Sequence, residues 1–406
     1  MRTLAILFSM LFVSINGLAQ DLQTLIQEAV DNNPQLKAYS LRHTIAQEKV
    51  DEMQALPNTQ VGAGYFVSGP ETRTGEQRAR FSIVQMLPWF GTLTARSSYA
   101  SAMAESEFVE IAIAQRKLAL SVAQSYYALH ALKARQEVLQ ENIQLLGTYE
   151  RLALTSVEVG KASAVDVLRL QIRQNELEQE RQVLQEAFRA ERTNLNAMLN
   201  RGAATEVNVP HTMAIPLEDP VVRDSALALN PELLKFDKLY ESVTQSELLN
   251  QKESAPNIGF GLDYVPVAER PNMEFMDNGK DIFMPMVSLS IPIFNKSYAS
   301  VSKQNELRQQ EISNQKMERL NTLRSTLARA LSERNQARIT YNTQQKNLAQ
   351  AQHAEGILIK TYETGTIDFM DVLDIQELQL KFQTNAIASV QQYFVQSALI
   401  NYLTDQ

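Results

Sequence analysis

The same turn is written twice in this chain. "VEVGKASAVDVL" spans residues 157–168 and "YETGTIDFMDVL" spans residues 362–373, each with five residues between a Gly and an Asp-Val-Leu. Asp166 and Asp371 lie 371 − 166 = 205 positions apart, about half of the 406 residues. Each turn follows a long run with no Pro and a single Gly, Gly147 in 92–157 and Gly356 in 297–361. Such runs, rich in Ala, Gln, Leu and Glu, favour uninterrupted helix. The turns are therefore expected at the far ends of two very long helices.

Other pairs recur in the same order. Asn33-Pro34-Gln35-Leu36 answers Asn230-Pro231-Glu232-Leu233 at an offset of 231 − 34 = 197. "LPNTQVGAGYF" (56–66) answers "APNIGFGLDYV" (255–265), and "SIVQMLPWFGT" (82–92) answers "SLSIPIFNKS" (288–297). An offset that drifts slowly through four ordered pairs reads as a tandem duplication. The expected organisation is a leader at 1–19, a first repeat at 20–201, a connector at 202–220 and a second repeat at 221–406. The connector, "GAATEVNVPHTMAIPLEDP", stands out by its prolines and small residues.

Each repeat reads as helix, β-hairpin, long helix, turn, helix. Helices are expected at 21–54, broken at Asn33-Pro34, because proline disfavours helix in the residue before it. Further helices are expected at 92–157, 164–200, 221–254, 298–362 and 367–403. Strands are expected at 59–68 and 77–87 around a Gly69-Pro70 turn, and again at 257–265 and 282–291. Ile258, Phe260, Leu262 and Tyr264 alternate with Asn257, Gly259, Gly261 and Asp263. Phe283, Val287, Leu289 and Ile291 stand against Ser288 and Ser290, and Phe81, Ile83 and Leu87 against Arg80, Ser82 and Val84. That alternation suits a membrane barrel strand and equally an ordinary half-buried sheet.

The strand count and the helix length decide between them. Four strands cannot close a barrel in which lipid leaves every backbone group to be satisfied internally. Three chains would supply 3 × 4 = 12, and closure removes every edge. A helix over 92–157 would run ~100 Å, far too long for one compact globule. Its apolar stripe beside a broad polar face suits a coiled-coil-like seam with one wet side.

Composition narrows the rest. MRTLAILFSMLFVSINGLAQ has a positive start, an apolar core too short to span ~30 Å of hydrocarbon, and a small-residue site before Gln20, which is the layout of a secretory leader. There is no cysteine, hence no disulfide and no lipidated N-terminal Cys. A net charge of −8 with interspersed signs argues against a nucleic-acid partner, which needs a basic face. His43, His130, His211 and His353 have no companions at metal-ligand spacing, and they are expected at the surface or in helix seams. No nucleophile elbow or phosphate loop is present, so no enzyme and no cofactor is expected.

A leader, two such repeats, and the Pro88-Trp89-Phe90-Gly91 and Pro292–Phe294 breaks resemble the TolC outer-membrane efflux protein family over essentially the whole mature chain. The resemblance implies a mainly α fold with a β-barrel portion. Each chain of a homotrimer would give four strands to a shared 12-stranded barrel in outer-membrane lipid, and long helices to a periplasmic tunnel. It implies a passive exit duct of a Gram-negative bacterium, joined through a periplasmic adaptor to an inner-membrane pump of the resistance-nodulation-division type. Cargo of metal cations or small toxic compounds fits that reading. A type I protein secretion channel and a non-channel periplasmic coiled-coil protein are the alternatives.

Residue by residue, the likeness places Asp371 and Asp374 in an acidic constriction. It places Tyr362 as a tyrosine that hydrogen-bonds across tips, with Asp166 as its acidic partner. Helix capping is the simpler role for Asp166 and Asp371. Ile367 and Val165 depart from the family's closing network, which has an arginine and a threonine there. Val159, Gly160, Lys161, Thr364, Gly365 and Thr366 form the tips expected to meet the adaptor, with Gly160 and Gly365 supplying positive φ. Trp89, Phe90 and Phe294 suit an aromatic girdle. Met273, Met276, Met284 and Met286 crowd the second hairpin; thioethers bind Cu(I) or Ag(I), and methionine is also ordinary filler of irregular apolar contacts.

Overall fold

The computed structural model describes residues 21–404, apart from 161, 162, 223, 273, 275, 365 and 368. The expected leader lies outside the described residues. Helix α1 (Leu22–Asn32) and α2 (Pro34–Gln54) precede strands β1 (Gln60–Tyr65), β2 (Glu71–Thr72), β3 (Gly75–Gln77) and β4 (Ala79–Leu87). Helices α3 (Thr92–Glu158) and α4 (Ala164–Met198) follow. After a 3₁₀ segment (Asp224–Leu229) come α5 (Pro231–Glu253), β5 (Asn257–Val265), β6 (Val267–Ala268) and β7 (Ile282–Ser290). Helices α6 (Ser297–Glu363) and α7 (Phe369–Thr404) complete the order. The chain divides into two compact units: Ala38–Ile113 with Pro231–Asn321, and the remainder.

The first unit holds the strands. β1, β4, β5 and β7 form one antiparallel sheet in that order, leaving β1 and β7 as edges. The two hairpins are thus joined through β4 and β5, in a register that sets Phe81 against Tyr264 and Leu87 against Ile258. The expected turn at Gly69-Pro70 is displaced. There the first hairpin continues into β2 and β3 and reverses at Arg73-Thr74, and β3 pairs with β6 from the second hairpin. Gly75 (φ +140°) sits where an added Cβ would meet the Ala268 carbonyl at 1.9 Å, so only glycine fits. Ion pairs Arg73–Asp277 (3.0 Å) and Arg270–Glu71 (2.7 Å) tie the same loops.

The second unit is helical. Leu25, Ala29, Val122, Leu129, Leu195 and Leu199 are fully or almost fully buried around α1, α3 and α4. The two Asn-Pro pairs act alike within it. Asn33 accepts from the amides of Gln35 (2.9 Å) and Leu36 (3.3 Å), capping α2, and its own amide donates to the Met198 carbonyl at the end of α4 (3.0 Å). The Asn230 amide donates to the Leu403 carbonyl near the end of α7 (3.1 Å). A helix terminus leaves such carbonyls without internal partners, so each asparagine closes one. Where a single helix was expected over 221–254, the 3₁₀ segment, Asn230 and α5 stand instead, because Pro231 supplies no amide hydrogen and favours a first-turn position.

The connector lies against these helices. Val207 and Val209 are buried, and Lys133 Nζ donates to the Val209 carbonyl (3.2 Å). Asp219 accepts from the Tyr393 hydroxyl and pairs with Arg338 (each 2.5 Å) and Arg334 (3.6 Å). Burial pushes the Asp219 carboxyl up; the hydrogen bonds from Tyr393 and Arg338 and the two arginine charges outweigh it and leave it lowered. A carboxylate lowered in the fold contributes stability above its unfolded value, lost as pH falls through the folded one. We expect Asp219→Asn to cost about 3 kcal/mol, because Arg334 is almost wholly buried and would lose its counter-charge. Urea unfolding at pH 7 checks this. The difference from the parent should shrink as pH falls below the ordinary carboxylate value of about 4 and vanish below the lowered folded value, where Asp219 is protonated in both states.

His130 is 4% exposed, not at a surface, and its ring bonds the backbone of His211 in the connector. Burial holds its pKa below the usual value. His211 Nδ1 lies 2.9 Å from Glu137 Oε1. Among the described residues, no group of three or more His, Cys, Asp or Glu is arranged to hold a metal. None of their helices is long and apolar enough to cross a membrane.

Candidate functional site

The two turns lie in the helical unit. Val159 is exposed, and Gly160 takes φ +74°, its amide donating to the Val157 carbonyl (3.0 Å). Lys161 and Gly365 lie outside the described residues. In the second turn the Thr364 hydroxyl donates to the Thr361 carbonyl (2.7 Å) and meets the Thr366 hydroxyl at 2.8 Å. The Thr366 amide reaches the same Thr361 carbonyl (3.2 Å). These bonds close one of the last-turn carbonyls of α6, which have no partner within the helix.

Asp166 sits in the third helical position of α4 and closes a capping box. The Ser163 amide donates to Asp166 Oδ2 (3.4 Å), and Ser163 Oγ accepts from the Val165 amide (3.2 Å). Arg169 lies 3.7 Å from its other oxygen. Tyr362 is buried, its hydroxyl without a partner among the described residues, packed edge-on against Phe369 at 5.0 Å. Within one chain, Tyr362 and Asp166 are therefore not joined by a hydrogen bond. Asp371, in the first turn of α7, and Asp374 one turn later are both exposed. Ile367 packs on the apolar cluster beneath Tyr362 and Phe369, and Val165 is exposed.

Sequence reasoning missed what surrounds these carboxylates. Arg169 Nη1 meets Met370 Sδ at 3.7 Å, and Arg173 lies 3.5 Å from Glu377, so two arginines on α4 face α7. Arg169 stands three after Asp166, and Glu377, the partner of Arg173, stands three after Asp374, the spacing that shares a helix face. Beneath them Tyr149 packs edge-on against Phe369 (5.8 Å) and donates to Glu355, which also accepts from Gln379 (2.8 Å). Burial, then that bond and charge, raise the Tyr149 hydroxyl. A second buried polar contact joins Gln376 to Asn142, whose amide donates to Gln383 (3.2 Å).

The strand-bearing unit holds the two breaks. After Pro88, Trp89 and Phe90 pack edge-on at 5.8 Å, and Gly91 (φ +81°) allows the carbonyl of Trp89 to accept from Thr92 (3.0 Å) as α3 begins. After Pro292, Phe294 is almost fully exposed, and Asn295 Oδ1 accepts from the Ser297 amide (2.9 Å) to start α6. One face of the sheet carries Val61, Tyr65, Phe81, Ile83, Leu262, Phe260, Phe283, Val287 and Leu289, all exposed. Gln85 is its polar exception, donating to the Pro57 carbonyl (2.8 Å). Phe81, Tyr264 and Phe283 form an aromatic row, with centroids 6.3 and 4.9 Å apart. The opposite face carries Gly62, Ser82, Gly259, Gly261, Ser288 and Asp263.

Comparison with known proteins agrees with this geometry. The outer membrane efflux protein family profile matches residues 25–201. No curated protein matches the chain by sequence. Among solved structures, the outer membrane protein VceC of Vibrio cholerae is 18% identical, with a TM-score of 0.74 over 94% of this chain and 95% of that one. CusC, described with transmembrane channel formation, is 16% identical with a TM-score of 0.76, over 95% and 92%. The open state of the MtrE outer membrane channel of Neisseria gonorrhoeae is 16% identical with a TM-score of 0.73, over 94% and 88%. At such identities the structures speak for the fold alone, and the profile marks residues 25–201 as similar to the outer membrane efflux protein family.

Proposed function

We propose that three copies of this chain form an outer-membrane exit channel of a tripartite efflux system. One observation carries the reading: an open four-stranded sheet with two unpaired edges and an exposed, almost wholly apolar face. In water such a sheet would aggregate; in lipid it must close. Joining β7 of one copy to β1 of the next gives 3 × 4 = 12 strands and leaves no edge. The aromatic row at Phe81 and the Trp89–Phe90 pair are eight residues apart along the chain, roughly 26 Å at about 3.3 Å per residue, close to the apolar band of ~25 Å that membrane barrels present.

The rest of the reading builds on that placement. Each chain is two repeats, 20–201 and 221–406, linked by 202–220 after a cleaved leader at 1–19; the matching roles of Asn33 and Asn230 support this. Asp371 and Asp374 line the periplasmic gate as rings of carboxylate, which attract cations and repel one another. Tyr362 and Asp166 complete the gate between copies, the buried Tyr362 hydroxyl finding its partner on opening or across an interface. Val159, Gly160, Lys161, Thr364, Gly365 and Thr366 dock a periplasmic adaptor, which couples the duct to a resistance-nodulation-division pump. The exposed apolar residues Val165, Leu168 and Ile172 on α4 suit a neighbouring copy. The duct performs no reaction and binds no cofactor. Metal cations or small toxic compounds are its proposed cargo.

The test is extraction from outer membranes in detergent, with mass by light scattering and shape by negative-stain microscopy. A particle of three chains, with a tube projecting on the order of 100 Å from the micelle, is expected. A detergent-free soluble monomer or dimer would overturn the channel and favour a periplasmic coiled-coil protein.

A further inference from the structure

A cavity of about 570 Å³ opens in the helical unit, where α1 and the connector meet α3, α6 and α7. That volume lies within the range of small-molecule sites. Leu22 and Ile26 of α1, Pro216 and Pro220 of the connector and Ile400 of α7 give it an apolar lining. Tyr127 of α3 and Phe394 of α7 stack at 5.2 Å, so part of the wall is aromatic. Among the described residues, the charged groups of the lining are two arginines, Arg116 and Arg334, with no carboxylate beside them. The cavity is therefore apolar over most of its surface and cationic at one place.

Arg334 is the group that asks for a partner. It is 5% exposed, and its Nε has no hydrogen-bond partner among the described residues. Asp219 stands 3.6 Å from its Nη2, beyond hydrogen-bond reach, and is held more closely by Arg338 and Tyr393 (each 2.5 Å). A guanidinium keeps its charge and its N–H donors at any ordinary pH, and a buried donor left unpaired costs free energy. Its planar fork matches the two oxygens of a carboxylate. Burial and the neighbouring Tyr126 push the Tyr127 hydroxyl up to about 12, so it stays protonated as a further donor. We propose that this cavity binds a small organic carboxylate with an apolar body. The carboxylate meets Arg334, and the body lies against the Tyr127–Phe394 pair and the apolar lining from α1 and the connector. Such a ligand ties the connector and α1 to α7. It needs neither lipid nor gate, so the inference does not rest on the channel reading. The thioethers of the second hairpin offer no enclosure of this kind: Met276 is fully exposed, and Met273 lies outside the described residues.

The experiment uses the full-length purified protein in dodecyl maltoside, with para-trifluoromethylphenylacetate as the probe and protein-free micelles as the blank. In ¹⁹F spectra the probe should show a saturable shift at about one molecule per chain. The melting temperature should rise with probe concentration, as binding to the native state requires. The neutral amide of the same probe should bind about tenfold or more weakly, since it loses the charge-assisted contact. Arg334→Gln should weaken binding of the acid by a similar factor. Ala119→Leu, which fills the cavity and leaves the arginine in place, should do the same. Inorganic phosphate, which has no apolar body, should not compete. No shift beyond the blank would mean that the cavity holds only water and would overturn the site. Equal binding of acid and amide, displacement by phosphate, or unchanged affinity in either folded variant would overturn it as well. A variant that fails to fold leaves the other variant and the acid-against-amide comparison on the parent protein to decide.

Discussion

Leu262→Arg should all but abolish the protein in the outer membrane. Leu262 is exposed at the centre of β5, set between Ile83 on β4 and Pro285 on β7 on the apolar face. A single arginine on the lipid face near the bilayer midplane costs about 2–4 kcal/mol. A closed trimer carries the change three times, so the sum reaches about 6–12 kcal/mol, comparable with the whole stability of a typical protein at about 5–15 kcal/mol. Ser290→Arg is the control. It lies on the opposite face near the end of β7, paired with Asn257, where a charge can remain in water. Heat-modifiable trimer in outer-membrane fractions, compared by immunoblot, gives the readout. Equal amounts of Leu262→Arg and parent trimer would mean that this face does not meet lipid.

The second large effect concerns conduction. Replacing Asp371 and Asp374 by Ala should raise single-channel conductance severalfold and weaken block by a multivalent cation such as hexaamminecobalt by about tenfold or more. Each lost charge-assisted contact to a cation amounts to about 1.5–3 kcal/mol, and about 1.4 kcal/mol is tenfold. Both side chains are exposed, so neither holds the helix core together. A purely local role at the α7 terminus predicts a different outcome: a loss of about 0.3–1 kcal/mol in stability from the first-turn charge, with conductance and block unchanged. Bilayer recordings and thermal melts on the same preparation separate the two.

The elements themselves were legible in the sequence. The helix expected over 92–157 is α3, Thr92–Glu158, and that expected over 298–362 is α6, Ser297–Glu363. Long runs poor in Gly and Pro leave the backbone no cheaper conformation, and intrinsic propensity summed over such a window is decisive. The strand alternation was equally readable: Phe81, Ile83 and Leu87, and Ile258, Phe260, Leu262 and Tyr264, fall on one face as their spacing required, since strand side chains alternate by geometry. The break at Asn33-Pro34 and the left-handed Gly160 followed from the restricted backbone of proline and the freedom of glycine.

The misplaced first-hairpin turn has a physical cause. Gly69-Pro70 is a strong local turn signal, but β2 and β3 gain ladder partners and two ion pairs by continuing to Arg73-Thr74, and a tertiary contact outweighs a local preference. That His130 is the buried histidine was not legible for a related reason. Its burial comes from the connector, whose path no periodicity announces. At the tips, the acidic pair on α7 was visible, whereas Arg169 and Arg173 gained meaning only when α4 was set against α7.

Periodicity, capping and turn chemistry act between residues a few positions apart, so the sequence by itself determined the helices, the strands and their faces. Pairings between distant segments were decided only in three dimensions. The register that sets Met86 beside Gly259 joins strands 259 − 86 = 173 residues apart. A slip of one residue would send every one of those side chains to the other face. That register arises from the combined packing of four strands and their loops, a property that no single stretch of the chain contains.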